Sequence, residues 1–189
     1  MMKKIKLSMV MLLLLFQAGY THAQTYSVGD SLPEEFFSTV HPAMDLTTGE
    51  STTVKLEDYR DKLVILYFWF NGCSPCIRSF IKCDSIQPLL KGENYVVIPF
   101  TYQTLETTQR ILRRFQWNMT SIIADSVLYE AFAGRSFRNT AWIKDGRVYA
   151  TPESKFLTAE NIRKVLAGHR EAFPLEARQP QRAGNQPTR

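Results

Sequence analysis

A continuous apolar run, Leu63 to Phe70, leads directly into two cysteines that lie three positions apart. The run is rich in β-branched and aromatic residues and too short to cross a membrane. It therefore predicts a strand buried on both faces of a sheet. Asn71-Gly72 ends the run, and Cys73-Ser74-Pro75-Cys76 follows at the start of a helical pattern. A buried strand that feeds a C-x-x-C at the beginning of a helix constrains both the fold and the chemistry.

This order predicts a specific role for each cysteine. Cys73 is expected at the N-terminus of the helix, where free backbone N–H groups and the helix dipole favour its thiolate form. The thiolate is the nucleophile in disulfide exchange. Cys76 lies within bridging distance but is expected to be more enclosed, so it would attack the mixed disulfide and release the product. Pro75 fits the first helical turn because its absent N–H would have no partner there.

The segment from Leu56 to Cys76 resembles the thioredoxin-fold proteins, and among them the exported TlpA/ResA-like thiol-disulfide oxidoreductases. The resemblance continues as a pattern through Val28 to Asp30, Tyr95 to Thr101 and Thr140 to Gly146. It implies an α/β thioredoxin fold, with a central mixed β-sheet flanked by helices and an N-terminal extension. It also implies a redox-active disulfide between the two cysteines, no cofactor, and protein disulfide substrates with an upstream thiol reductant as partners.

The same resemblance implies four residues of a substrate groove. Trp69 matches an active-site tryptophan of the family; packing in the core is a second interpretation, and both can be true. The loop that faces the cysteines usually contains Pro-Thr, and here it reads Arg138-Asn139-Thr140. Arg138, Asn139 and Thr140 are therefore the other groove candidates.

Relatives place a buried carboxylate near the cysteines, at one of two positions that are occupied here by Tyr67 and Ser79. Neither residue is acidic. This departure, together with Asn139 in place of proline, leaves a second interpretation open. In that interpretation the chain is a catalytically weakened thioredoxin-like module that uses the groove to bind a partner.

Other interpretations of the C-x-x-C are a half zinc site, a structural disulfide and a peroxidase. No second C-x-x-C and no H-x-H pair completes a zinc tetrad, so no metal site is predicted. Related peroxidases need a threonine two or three residues before the reactive cysteine, and Phe70, Asn71 and Gly72 supply none.

A third cysteine, Cys83, follows Cys76 by seven residues, or two helical turns. Two turns rise about 10.5 Å, which exceeds the roughly 7 Å limit for bridging two Cα atoms by a disulfide. The spacing predicts a buried free thiol and argues against a three-cysteine metal site.

The two ends of the chain differ in composition from the middle. Residues 1–23 combine three early lysines, an apolar run and a small-residue cleavage site, which is typical of a secretory signal peptide. Residues 24–173 are predicted to form the thioredoxin-like domain, and residues 174–189 a disordered tail. We therefore expect export to the periplasm, with no stable membrane anchor after cleavage.

The net charge of +5 comes mostly from the two ends. Three lysines lie in the signal segment, and the tail contributes Arg178, Arg182 and Arg189 against Glu176. The domain between them is close to neutral, so the charge does not predict nucleic-acid binding.

The remaining patterns alternate between helix and strand. A helix is predicted from Cys76 to Leu90, with a kink or end at Pro88, and Asp145-Gly146 predicts a tight turn between two strands. The other predicted elements are a strand at Tyr95–Thr101, helices at Leu105–Phe115, Ser126–Phe132 and Thr158–Ala167, and hairpin strands at Thr140–Lys144 and Arg147–Thr151.

Overall fold

The computed structural model describes residues 25–112, 117–132, 139–169 and 172–174. Within these residues, seven strands form one mixed sheet in the order β2-β1-β5-β4-β3-β6-β7. The strands are β1 (Val40–Asp45), β2 (Ser51–Lys55), β3 (Leu63–Phe68), β4 (Tyr95–Phe100), β5 (Thr120–Ile122), β6 (Thr140–Lys144) and β7 (Arg147–Ala150).

Strand β3 has a paired neighbour on each side and a covered surface on each face. It runs parallel to β4 and antiparallel to β6, and all six of its residues are buried. Successive side chains of a strand point to opposite faces, so Val64 and Leu66 join one core cluster and Leu63 and Ile65 join another. This confirms the prediction of a strand buried on both faces.

Helices cover both faces of the sheet. They are α1 (Glu34–Ser38), α2 (Ser74–Ile86), α3 (Leu105–Leu112), α4 (Ser126–Phe132) and α5 (Ala159–Leu166). Residues of α1 and α4 pack in the cluster that contains Val64, whereas residues of α2 and α5 pack in the cluster that contains Leu63. The result is the predicted α/β thioredoxin-like fold with a central mixed sheet.

Three local predictions differ from the structure. The strand expected to reach Phe70 ends at Phe68, because the chain then turns toward the cysteines. The helix expected from Cys76 to Leu90 begins at Ser74 and ends at Ile86, after which Gln87–Leu90 continues as a 3₁₀ turn that contains Pro88. The segment from Val28 to Pro33, which resembles an N-terminal strand and turn of the thioredoxin-fold proteins, forms no strand; Ser31 makes one isolated bridge to Arg147.

The turn predicted at Asp145-Gly146 is confirmed, and both ends of the last helix are well defined. The Asp145-Gly146 turn joins β6 to β7, and Asp145 adopts a positive φ of 52°. Thr158 caps α5 by accepting a hydrogen bond from the N–H of Asn161, and Gly168 follows that helix with φ of 86°.

The predicted signal peptide, residues 1–23, and residues 175–189 of the predicted tail lie outside the described residues. Phe173, at the predicted end of the domain, is buried and its ring lies 4.8 Å from that of Trp142. In the part of the chain that the structure describes, no helix is both long and apolar enough to span a membrane.

The packing of Phe173 predicts where the folded domain ends. Phe173→Ala should lower the free energy of unfolding by about 3 kcal/mol, because a buried aromatic ring is removed. Leu175→Ala, in the predicted tail, should change it by less than about 0.5 kcal/mol. Urea denaturation of both variants checks this expectation, and equal losses would place the end of the domain beyond Leu175.

Candidate active site

The two cysteines of the C-x-x-C lie where β3 gives way to α2. A turn closes there, with the N–H of Cys73 donating to the carbonyl of Phe70 at 3.2 Å. Gly72 adopts φ of 95° in this turn, a left-handed conformation that glycine tolerates without steric cost. The turn makes Cys73 the N-cap residue of α2.

A disulfide joins Cys73 to Cys76, whose Cα atoms are 5.2 Å apart. Cys73 Sγ accepts a hydrogen bond from the N–H of Cys76 at 3.2 Å. The carbonyl of Cys73 accepts the first N–H of the helical pattern, from Ile77. A thiolate at Cys73 would therefore face the positive end of the helix dipole and a backbone donor, both of which favour a negative sulfur.

The two sulfur-bearing residues differ in access. Cys73 retains 7% of its surface and Cys76 retains none, so the prediction that Cys76 is the more enclosed residue is confirmed. Both pack in one cluster with Trp69 and Phe80. Of the two cysteines, only Cys73 retains surface that solvent can reach.

Trp69 and Thr140 are placed inside the molecule. Trp69 is fully buried, and its indole N–H donates to Ser121 Oγ at 3.0 Å. Thr140 is also buried and donates to the carbonyl of Pro152. Both side chains are thus bonded within the protein, which agrees with the core-packing interpretation of Trp69.

Asn139 lies beside the end of β3, since its carbonyl accepts a hydrogen bond from the N–H of Phe68 at 2.8 Å. Its carboxamide points inward. Nδ2 donates to Tyr67 Oη at 3.4 Å, and Oδ1 accepts from the N–H of Ser154 at 2.9 Å. The carboxamide is thus engaged within the protein rather than free for a substrate. Arg138, the remaining groove candidate, lies outside the described residues.

Hydroxyl groups occupy the two positions at which relatives place a carboxylate. Tyr67 is fully buried, and its hydroxyl donates to the carbonyl of Cys76 at 3.0 Å. Burial raises the pKa of Tyr67 to about 12, although hydrogen bonds with Ser79, Asn139 and Ser154 oppose the shift. The hydroxyl is therefore neutral at physiological pH. The sequence alone did not identify Ser154 as part of the site. Ser154 lies in a short turn, and no sequence pattern around it indicates a contact with Asn139.

Cys83 is a free, buried thiol, as its spacing predicts. Burial is the main cause that raises its pKa to about 12, and the neighbouring Asp84 carboxylate adds to the effect. A thiol of this kind is a poor nucleophile because it is almost never ionised. Among the described residues, no group of three or more His, Cys, Asp or Glu side chains could hold a metal ion.

The family model of the AhpC/TSA family matches residues 38–133, just over half of the chain. The comparison with curated proteins finds no significant match.

Several solved structures share the fold. A cysteine-to-serine mutant of PrxQ from Xylella fastidiosa is 15% identical with a TM-score of 0.61, and the alignment covers 77% of this chain and 98% of that chain. The exposed lipoprotein thioredoxin Etrx1 from Streptococcus pneumoniae is 25% identical with a TM-score of 0.55, covering 69% and 99%. The thioredoxin domain of a thiol-disulfide oxidoreductase from Bacteroides vulgatus is 18% identical with a TM-score of 0.53, covering 75% and 99%.

The pKa of Cys83 predicts very slow alkylation. In the folded, oxidised protein at pH 8, iodoacetamide should modify Cys83 about a thousandfold more slowly than an ordinary cysteine, whose pKa is about 8.5. Cys83→Ala should leave disulfide exchange at the other two cysteines within about twofold of wild type. Mass spectrometry of timed alkylation and an exchange assay measure these quantities. Loss of exchange in a variant that remains folded would give Cys83 a redox role.

Proposed function

Because the chain belongs to the AhpC/TSA family, we propose that it is a thiol-disulfide oxidoreductase that exchanges electrons with protein disulfides through Cys73 and Cys76. The observation that carries the proposal is the disulfide at the N-terminus of α2, in which Cys73 retains 7% of its surface and Cys76 retains none. This asymmetry supplies an attacking thiol and a resolving thiol.

In the reducing direction, the reaction begins with both cysteines as thiols. The Cys73 thiolate attacks one sulfur of a client disulfide, and the other client sulfur leaves as a thiolate that takes up a proton. Cys76 then loses its proton and attacks Cys73 Sγ, which releases the second client thiolate. Two electrons have passed to the client, and the Cys73–Cys76 disulfide has formed. An upstream thiol reductant returns the pair to its dithiol state.

The place of action follows from the N-terminal sequence. Residues 1–23 have the composition of a signal peptide, so the proposed compartment is the periplasm. Disulfides persist in such oxidising spaces, so protein disulfides are available there as substrates. The near-neutral domain gives no reason to propose nucleic acid as a partner.

One observation favours the catalytically weakened binding module as a second candidate. At the two positions next to the redox pair where relatives place a carboxyl, the structure has the hydroxyls of Tyr67 and Ser79. Proton transfer to and from Cys76 would then be slow, and the groove could hold a client without turning it over. A binding module would retain clients through non-covalent contacts, independently of both cysteines.

Trapping of mixed disulfides separates the roles of the cysteines. Cys76→Ser should accumulate mixed disulfides with client proteins, because the attack that releases the client is lost. Cys73→Ser should accumulate none, since its remaining Cys76 thiol is inaccessible. Non-reducing electrophoresis of both variants, recovered from the compartment where they act, measures the difference.

Two outcomes would change the proposal. Equal trapping by both variants would overturn the assignment of attacking and resolving thiols. Client recovery that is unaffected by either substitution, and insensitive to reductant, would favour the binding module.

A further inference from the structure

Polar side chains of Tyr67, Asn139 and Ser154 form a chain of contacts that connects to the first two turns of α2. The hydroxyl of Tyr67, on β3, donates to the carbonyl of Cys76 at 3.0 Å. The carboxamide of Asn139, just before β6, donates in turn to the Tyr67 hydroxyl at 3.4 Å. The carbonyl of Cys76 is thereby connected to β3 and, through Asn139, to the residue just before β6.

The same connection returns to the helix by a second path. The N–H of Ser154 donates to Asn139 Oδ1 at 2.9 Å, and the hydroxyl oxygens of Ser154 and Ser79 lie 3.5 Å apart. Ser79 Oγ then donates to the carbonyl of Pro75 at 3.1 Å. We call this chain of four side chains the polar ring; its members are Tyr67, Asn139, Ser154 and Ser79. Its two ends donate hydrogen bonds to the carbonyls of Cys76 and Pro75, which are successive residues of the C-x-x-C.

These contacts are additional to those that the helix needs. A carbonyl in the first turn of an α-helix accepts the N–H of the residue four positions later, so the bonds from Tyr67 and Ser79 supply second donors. The ring also ties together four elements, namely β3, α2, the start of β6 and the 3₁₀ turn at Ser154–Phe156. Such a network restricts movement of the peptide groups that it holds.

We propose that Tyr67 and Ser79 are positioning residues of the redox pair, which hold the backbone of Pro75 and Cys76 so that the two sulfurs remain within bonding reach after reduction. The inference rests on the proposed function and deepens it. In this proposal, two neutral hydroxyl groups hold the backbone of the resolving cysteine, Cys76, in position.

The consequence concerns closure of the disulfide. When the pair reacts with glutathione disulfide, two protein thiols become one disulfide and two glutathione thiols are released. The equilibrium constant of this reaction measures the effective concentration of one protein thiol at the other. A backbone held in the closing geometry raises that concentration, so loss of the ring should lower the constant and make the disulfide easier to reduce.

The test compares the glutathione equilibrium constant of wild type with those of three variants. Tyr67→Phe and Ser79→Ala each remove one hydroxyl that holds the motif, and each should lower the constant by about three- to tenfold. Ser121→Ala is the matched control: it removes a buried hydroxyl that bonds Trp69 but contacts no member of the ring. Its constant should stay within twofold of wild type.

Differential alkylation followed by mass spectrometry gives the oxidised fraction, and urea denaturation of the same samples shows that each variant is folded. Ser79 is partly exposed in the first turns of a helix, so Ser79→Ala should fold even if Tyr67→Phe does not. Constants within twofold of wild type for the folded ring variants, or an equal fall for Ser121→Ala, would overturn the positioning role. A wild-type pair that does not exchange with glutathione at all would instead overturn the proposed function, and this inference with it.

Discussion

Burial of β3 on both faces determines where the two cysteines can lie. A strand enclosed by β4, β6 and helices on each side has one fixed register, so its end delivers Cys73 to a fixed point at the start of α2. The turn at Gly72, the cap at Cys73 and the disulfide to Cys76 all follow from that point. A shift of β3 by one residue would reverse its faces and remove Tyr67 from beneath the helix.

The surroundings of the two sulfurs differ in how well they stabilise a negative charge. Cys73 lies against backbone donors at the end of the helix, which stabilise a thiolate. Both cysteines pack in an apolar cluster with Phe80 and Trp69, but only Cys76 has no exposed surface, so a charge on Cys76 would be the more poorly solvated. The nearby polar groups are hydroxyls and an amide, and Tyr67 stays neutral because burial raises its pKa to about 12. In the proposed function, Cys73 is therefore the attacking cysteine, and Cys76 is the resolving cysteine whose carbonyl is held by a neutral hydroxyl.

Local sequence signals predicted the parts of this arrangement that local forces determine. The apolar run, the C-x-P-C and Asp145-Gly146 each encode an element over a few residues, and the structure confirms the central strand, the helix and the hairpin. The contact between Asn139 and Tyr67 joins residues 72 positions apart. It depends on the pairing of β6 with β3, which no local pattern specifies. For the same reason the inward direction of the Asn139 carboxamide could not be predicted.

Thiol counting on the native protein tests the central claim most directly. A fast thiol reagent should find no reactive cysteine in the oxidised protein, because Cys83 is buried. After treatment with a dithiol and its removal under anaerobic conditions, it should find one, Cys73, because Cys76 is as buried as Cys83, while circular dichroism remains unchanged. A count that stays at zero until the protein is denatured would mean that the disulfide is structural, and would contradict a redox function.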